Sequence, residues 1–221
     1  MKREIIVTND GSTSIYLPDL KEGYHSKNGA IQEAQHVFIK NGFQQINGKK
    51  EISILEIGFG TGLNALVTYL EHVSSENIIN YVGVEAYPIA IEEALQMNYI
   101  DQLNATSYQS IFRKFHTSNW EEKVKISDNF YLTKRKQFFQ DISDINTFDL
   151  IYFDAFGFTT QPELWSEAIF KIMFEALSPN GILVTYACRT SIKKAMLSVG
   201  FSIEKLPGAP GKREMLRGKK L

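Results

Sequence analysis

Cysteine is nearly missing from this chain: Cys188 is the single one among 221 residues. One cysteine cannot close an intrachain disulfide or build a multi-cysteine metal site, so neither redox nor zinc chemistry is expected. Lying in an apolar stretch, it reads as a small hydrophobe and not as a reactive thiol. Long apolar runs are missing too. Nothing approaches the roughly 18 residues that a membrane-spanning helix needs, and "MKREIIVTND" lacks the apolar core of a secretory signal. A cytoplasmic protein without membrane contact is expected. An excess of either charge is also lacking, since 24 basic against 25 acidic residues leave a net charge of −1. Nucleic-acid binders usually carry a basic surplus. The average hides an asymmetry: from Arg189 onward stand Arg189, Lys193, Lys194, Lys205, Lys212, Arg213, Arg217, Lys219 and Lys220 against only Glu204 and Glu214. That end could meet phosphate, or it could be a solvated tail.

What is present is enough apolar material, 43% of residues, for one sizeable core. A single domain over residues 1–221 is expected. Residues 1–50 read as an extension, with a hairpin formed by "REIIVT" and "SIYLP" around "NDGS", followed by a helix in "NGAIQEAQHVFIKNG". From Ile52 strands and helices alternate. The strands are "ISILEI", "YVGVEA", "FDLIYFDA" and "GILVTYA", and the helices start near Leu63, Ala90, Pro162 and Ser191, which predicts a parallel α/β sheet. "FSIEKL" and "REMLRG", around the turn "PGAPG", close the sheet on one edge. Residues 104–136 break the alternation and read as an insertion, with aromatic residues among basic ones.

The stretch "ILEIGFGTGLNAL" follows the first parallel strand with Gly58, Gly60 and Gly62. Glycines there let a ligand lie against the backbone, and the following helix N-terminus offers free N–H groups. The spacing is G-x-G-x-G, unlike the dinucleotide fingerprint G-x-G-x-x-G, and is the one seen in S-adenosyl-L-methionine (SAM) methyltransferases. Glu85 ends the next strand, about 20 residues on, where an acid can accept from both ribose hydroxyls. Asp141 in "FFQDI" could accept from an adenine amino group while Ile142 packs on the ring. Asp154 ends a buried strand beside this site, and a carboxylate there is costly without a partner. Phe156 and Phe158 offer faces to a planar base. Plainer readings stay open: a structural turn for the glycines, helix caps for Glu85 and Asp141, core or lid packing for the phenylalanines.

Four motifs in order, "YHSKNGAIQEAQHVFI", "EIGFGTGLN", "DAF…QPELW" and "GKREMLRG", resemble the tRNA-modifying methyltransferase family comprising the methyltransferase half of MnmC and its stand-alone form MnmD. The resemblance covers nearly the whole chain. It implies a Rossmann-like class I fold and SAM-dependent N-methylation of 5-aminomethyl-(2-thio)uridine at the tRNA wobble position. By position it implies that Tyr24, Gly58, Gly60, Gly62, Asn64, Glu85, Asp141 and Ile142 hold SAM. Asp154 would lie next to the acceptor amine, with Phe156, Phe158, Lys212 and Arg213 toward the anticodon arm. One departure is Phe156-Gly157-Phe158-Thr159-Thr160, where the bifunctional enzymes tend to read F-A-P-A-K. A flavin-dependent oxidoreductase half does not fit into 221 residues, so it would be a separate partner.

A reacting amine must be neutral, and an aspartate with an ordinary pKa of about 3.9 is a weak base for its proton. Asp154 is therefore expected to orient the amine and to stabilise the charge that develops on nitrogen. Two other readings differ in class. An aminopropyltransferase of the spermidine synthase type would carry D-x-x-D, but Gly157 stands at the second acid. A non-catalytic SAM-binding or RNA-binding subunit would have no need of Asp154.

Overall fold

The computed structural model describes residues 2–221. The chain opens with a small antiparallel sheet of β1 (Glu4–Val7), β2 (Thr13–Leu17) and β3 (Glu22–Gly23). The turn after β1 is held by Asp10, whose carboxylate accepts from Ser12 N–H (3.0 Å) and from Gln32 N–H (3.0 Å). That second bond ties the hairpin to α1 (Ala30–Ala34), which runs on into a π-helical turn over Gln35–Lys40.

The main body follows as β4 (Glu51–Ile57), α2 (Leu63–His72), β5 (Ile78–Val84), α3 (Ile91–Ala94), α4 (Tyr99–Gln102), α5 (Gln109–Thr117), β6 (Lys123–Ser127) and β7 (Phe130–Arg135). It is completed by β8 (Phe148–Phe153), α6 (Glu167–Ala176), β9 (Leu177–Thr185), α7 (Thr190–Ser198), β10 (Ser202–Pro207) and β11 (Glu214–Lys219). Eight strands form one sheet in the order β10-β11-β9-β8-β4-β5-β7-β6. Pairing is parallel from β9 through β8, β4 and β5 to β7, and antiparallel at both edges.

Strands covered on both faces read as nearly continuous apolar runs. In β8 all six residues are buried. Side chains alternate across the sheet with period two. Ile52, Ile54, Tyr81, Leu150 and Tyr152 pack on the side of α1, α2 and α5, and Leu55, Ile57, Val84, Ile151 and Phe153 on the side of α6 and α7. The same parity puts Glu56, and Asp154 just past β8, on the α2 side.

Residues 104–136, expected as an insertion, run through the sheet instead of around it. They carry α5, β6 and β7, and β7 pairs in parallel with β5 from Phe130 to Arg135. Phe112, Phe115 and Phe130 are buried in the core. The strand "FYLTKR" hides its character because Lys134 is buried. Its ammonium donates to the His116 carbonyl (3.0 Å) and lies over the Trp120 ring at 4.9 Å.

The order of strands reverses between β4 and β8, which opens a crevice at their carboxyl ends where ligands of open α/β sheets bind. The turn after β4 is stitched there. Val84 O accepts from Gly58 N–H and Phe59 N–H, both at 3.0 Å, and Ile57 O accepts from Asp154 N–H at 3.0 Å. Gly58 has φ +88°, and a Cβ on it would sit 2.7 Å from the Asp154 carbonyl oxygen. Gly58→Ala is therefore expected to cost about 1–3 kcal/mol, the scale of a strained backbone position. Urea unfolding that finds an unchanged midpoint would contradict this close approach.

Candidate active site

A cavity of about 290 Å3 occupies the crevice, lined by the β4–α2 turn, the ends of β5 and β8, and Tyr24 and His25 from the extension. Its floor is bare backbone. A Cβ on Gly60 would meet the Tyr24 ring at 3.2 Å. Tyr24 in turn stands edge-on to Phe156, ring centres 5.2 Å apart. Glu85 is fixed at the rim, its carboxylate accepting from Gly60 N–H (3.1 Å) and Tyr87 N–H (2.9 Å). A carboxylate has about four acceptor positions, so two remain for hydroxyl donors.

Asn64, on the first turn of α2, joins two acids. Its amide nitrogen donates to Glu56 Oε1 (2.9 Å) and to Asp154 Oδ2 (2.9 Å). Tyr81 O–H donates to the other Glu56 oxygen at 2.8 Å. The Asn64 Oδ1 atom is buried and has no partner among the described residues. Burial raises the Glu56 carboxyl well above its ordinary pKa, and the charge of Asp154 adds to this. Asp154 itself departs from expectation. Burial, reinforced by the Glu33 charge, pushes its pKa up to about 7, against the opposing Asn64 hydrogen bond and Lys212 charge. The ordinary value assumed from sequence does not hold, because the strand end carries this carboxylate out of water.

A second cavity of about 590 Å3 adjoins the first and shares Tyr24, His25, Asp154, Ala155 and Phe156 with it. Asp154 thus stands at the junction. The wall of the second cavity is braced by Trp165 Nε1–H donating to Phe156 O (2.8 Å) and Tyr186 O–H donating to Ala155 O (2.8 Å). Phe158 faces this cavity beneath the Arg189 guanidinium, 5.2 Å from the ring centre. His25 bonds Ser14 Oγ through Nδ1 at 2.8 Å, and burial lowers its pKa to about 4, so it is neutral at physiological pH.

Not every expected residue joins the lining. The short turn Phe139–Asp141 presents Phe138, Phe139 and Gln140 to the first cavity, leaving Asp141 in solvent. Ile142 is packed in the core on the α6 side. Gly62 caps α2 in the left-handed region, φ +72°, and faces the His116 ring. Arg213 is exposed at the second cavity, whereas Lys212 is turned inward and ion-paired with Glu33. Part of the basic tail is spent internally: besides Lys212, Arg217 pairs with Glu204 at 2.7 Å and Lys205 with Glu214 at 2.7 Å. Glu33, Glu56, His25 and Tyr186 escaped sequence reasoning. Only Glu56, directly ahead of the glycines, carried a local signal.

A family model described as S-adenosyl-L-methionine-dependent methyltransferase matches residues 96–221. The tRNA 5-methylaminomethyl-2-thiouridine biosynthesis bifunctional protein MnmC of Leptospira borgpetersenii is 27% identical over an alignment of 215 positions that covers 89% of this chain and 32% of that protein. The MnmC of Polaromonas naphthalenivorans is 26% identical over an alignment of 238 positions that covers 99% of this chain and 36% of that protein. The chain thus spans about a third of the curated relatives it matches. Among solved structures, MnmC2 from Aquifex aeolicus superposes with a TM-score of 0.75 at 20% identity, covering 98% of this chain and 69% of that one. Spermidine synthase from Thermotoga maritima reaches 0.57 at 14% identity, covering 95% and 69%. Both share the Rossmann-like α/β fold.

A buried acid whose folded pKa lies above its unfolded value of 3.8 weakens the fold as pH rises. The unfolded chain ionises near 3.8 while the folded one waits until about 7, so stability is lost across that window. Asp154→Asn is therefore expected to stabilise the protein more at pH 8 than at pH 4.5. Urea titrations giving the same gain at both pH values would refute the raised pKa.

Proposed function

The chain belongs to the S-adenosyl-L-methionine-dependent methyltransferase family, and from that premise we propose that it N-methylates the 5-aminomethyl group of a (2-thio)uridine at the wobble position of tRNA. The observation that carries this reading is the position of Asp154, between a cavity with a glycine floor and an acidic rim and a second cavity lined by aromatic residues and charged residues of both signs. The relatives named for 5-methylaminomethyl-2-thiouridine biosynthesis favour the same substrate.

The first cavity suits SAM on its own geometry. The Gly60 floor has no Cβ, Glu85 keeps acceptor capacity for a diol, and the orphaned Asn64 oxygen lies among the acids beneath. Tyr24, Gly58, Gly60 and Glu85 would hold it, with Asn64 acting through Asp154; Ile142 and Gly62 would support the lining from behind, and Asp141 stands outside it. When bound, SAM supplies a methyl group on a sulfonium.

Asp154 does the rest from its raised pKa. As the carboxylate it accepts an N–H hydrogen bond from the amine and aims the lone pair along the line of transfer. With a pKa near 7 it can also hold the proton that an incoming ammonium must shed, a better match than an ordinary aspartate. With SAM bound, its methyl group would pass to the amine nitrogen and its sulfur would keep the bonding electron pair. The product would be a secondary ammonium, and Asp154, a carboxylate again once it has passed the amine's proton to water, stabilises the charge growing on nitrogen. Arg213 and Arg189, with Phe156 and Phe158, are the groups available to phosphate and base. The flavin-dependent oxidoreductase belongs to the same proposal as the class of reaction that delivers a primary amine. A cytoplasmic setting accords with a tRNA substrate, and among the described residues no helix is long and apolar enough to cross a membrane.

Nucleoside mass spectrometry tests the reading: tRNA from cells lacking the gene should accumulate the aminomethyl form and lose the methylaminomethyl form, and an unchanged pattern would overturn it. Glu85→Ala should weaken SAM binding by about 1.5–3 kcal/mol, the range for charged hydrogen bonds. Calorimetry giving wild-type affinity for the folded variant removes Glu85 from the site. Asp154→Asn should slow single turnover by roughly 10²-fold or more, the cost of one preorganised group. Asp154→Ala turning over at the wild-type rate would end the catalytic assignment.

A further inference from the structure

The second cavity already holds a primary alkylammonium: the end of the Lys212 side chain. Its Nζ is ion-paired with Glu33 Oε1 and lies 3.7 Å from the centre of the Tyr186 ring. Both partners are fixed. Glu33 is only 6% exposed, and its other oxygen accepts from Ser26 N–H at 2.9 Å. Tyr186 is anchored by its hydroxyl on Ala155 O, one residue past Asp154. Glu33, Tyr186, Asp154 and Lys212 line the same cavity.

Lys212 is the more exposed member of the ion pair. It comes from the turn between β10 and β11, where Lys212 N–H bonds Ala209 O at 2.8 Å and Gly208 N–H bonds Arg213 O at 3.2 Å. Its side chain is 29% exposed, so the ammonium has a way out to water. Lysine ends in CH2–NH3+, and the aminomethyl substituent of the proposed substrate is the same group at neutral pH.

We propose that Glu33 and the face of Tyr186 form a seat for a primary alkylammonium beside Asp154, and that Lys212 fills this seat until the substrate's aminomethyl group replaces it. The inference rests on the functional reading above and adds to it a substrate-binding role for Glu33. It also changes the part played by Lys212, from a phosphate contact to an internal stand-in for the substrate. A buried carboxylate demands a cation, so the seat is never left uncompensated while Lys212 and the substrate exchange. The arrangement discriminates as well. A carboxymethyl substituent would meet the charges of Glu33 and Asp154, and a neutral hydroxymethyl would leave Glu33 unpaired. After transfer the secondary ammonium still matches Glu33, and the return of Lys212 competes it out.

Steady-state kinetics on tRNA carrying 5-aminomethyluridine, with n-butylammonium as competing probe, tests the seat. Lys212→Met should lower the KM for tRNA severalfold, keep the wild-type salt dependence, and be inhibited by n-butylammonium at lower concentration than wild type. Glu33→Gln should raise that KM by roughly tenfold or more, the weight of a charged hydrogen bond, and leave SAM affinity unchanged. A raised KM with a flatter salt dependence in Lys212→Met would make Lys212 a phosphate contact and overturn the seat, as would a wild-type KM in Glu33→Gln. Should Lys212→Met fail to fold because Glu33 is left unpaired, Glu33→Gln is compared with the Glu33→Gln, Lys212→Met double variant. Equal KM values support the stand-in role, and a higher KM in the double variant overturns it. If wild-type protein transfers no methyl to this tRNA, the functional reading fails, while the difference in n-butylammonium binding between wild type and Lys212→Met still decides the seat.

Discussion

The two hydrogens of one amide nitrogen hold the centre of this molecule together. Asn64 Nδ2 donates to Glu56 and to Asp154, each at 2.9 Å, and thereby joins the ends of two neighbouring parallel strands to the first turn of the helix that follows the glycines. A buried and a half-buried carboxylate this close cannot both be cheaply ionised. The protein resolves the conflict by hydrogen bonding: Tyr81 and Asn64 satisfy Glu56, whose proton affinity is driven up, and Asp154 keeps one face toward the open cavities. Burial and the Glu33 charge, not the Asn64 hydrogen bond, leave Asp154 an acid near neutrality at the meeting point of two cavities, and its cost in stability is repaid only in function.

Strand parity makes this arrangement possible. Glu56 follows Ile52 and Ile54 on one face of β4, and Asp154 follows Leu150 and Tyr152 on the same face of β8. A helix packed on that face presents Asn64 between them. Moving either acid by one residue would turn it to the α6 side, among Ile57, Phe153 and Phe170.

Much of this was legible in the sequence, because period-two apolar runs and closely spaced glycines are local signals. "ISILEI", "YVGVEA", "FDLIYFDA" and "GILVTYA" became β4, β5, β8 and β9, and "FSIEKL" and "REMLRG" closed one edge. Long-range pairing was not legible. Lys212 meets Glu33 across 179 residues of sequence, so the lysine read as one of a basic cluster turned toward RNA and not as half of an internal ion pair. The polar alternation of "FYLTKR" concealed a sheet strand for a similar reason: Lys134 is satisfied by a backbone carbonyl and an indole face, partners that no local pattern announces. Asp141 and Ile142 show the opposite limit. A three-residue turn decides which side chain faces the cavity, and it presents Phe139 and Gln140 instead of these two.

The central claim is that Asp154 separates a cofactor cavity from an acceptor cavity. The most direct measurement is a crystal structure of the protein with S-adenosylhomocysteine. The account predicts the nucleoside hydroxyls on Glu85, the amino-acid part over Gly58 and Gly60, and the sulfur turned toward Asp154 and open to the cavity of Glu33 and Tyr186. A sulfur turned away from Asp154, or a ligand seated in the second cavity, would contradict it.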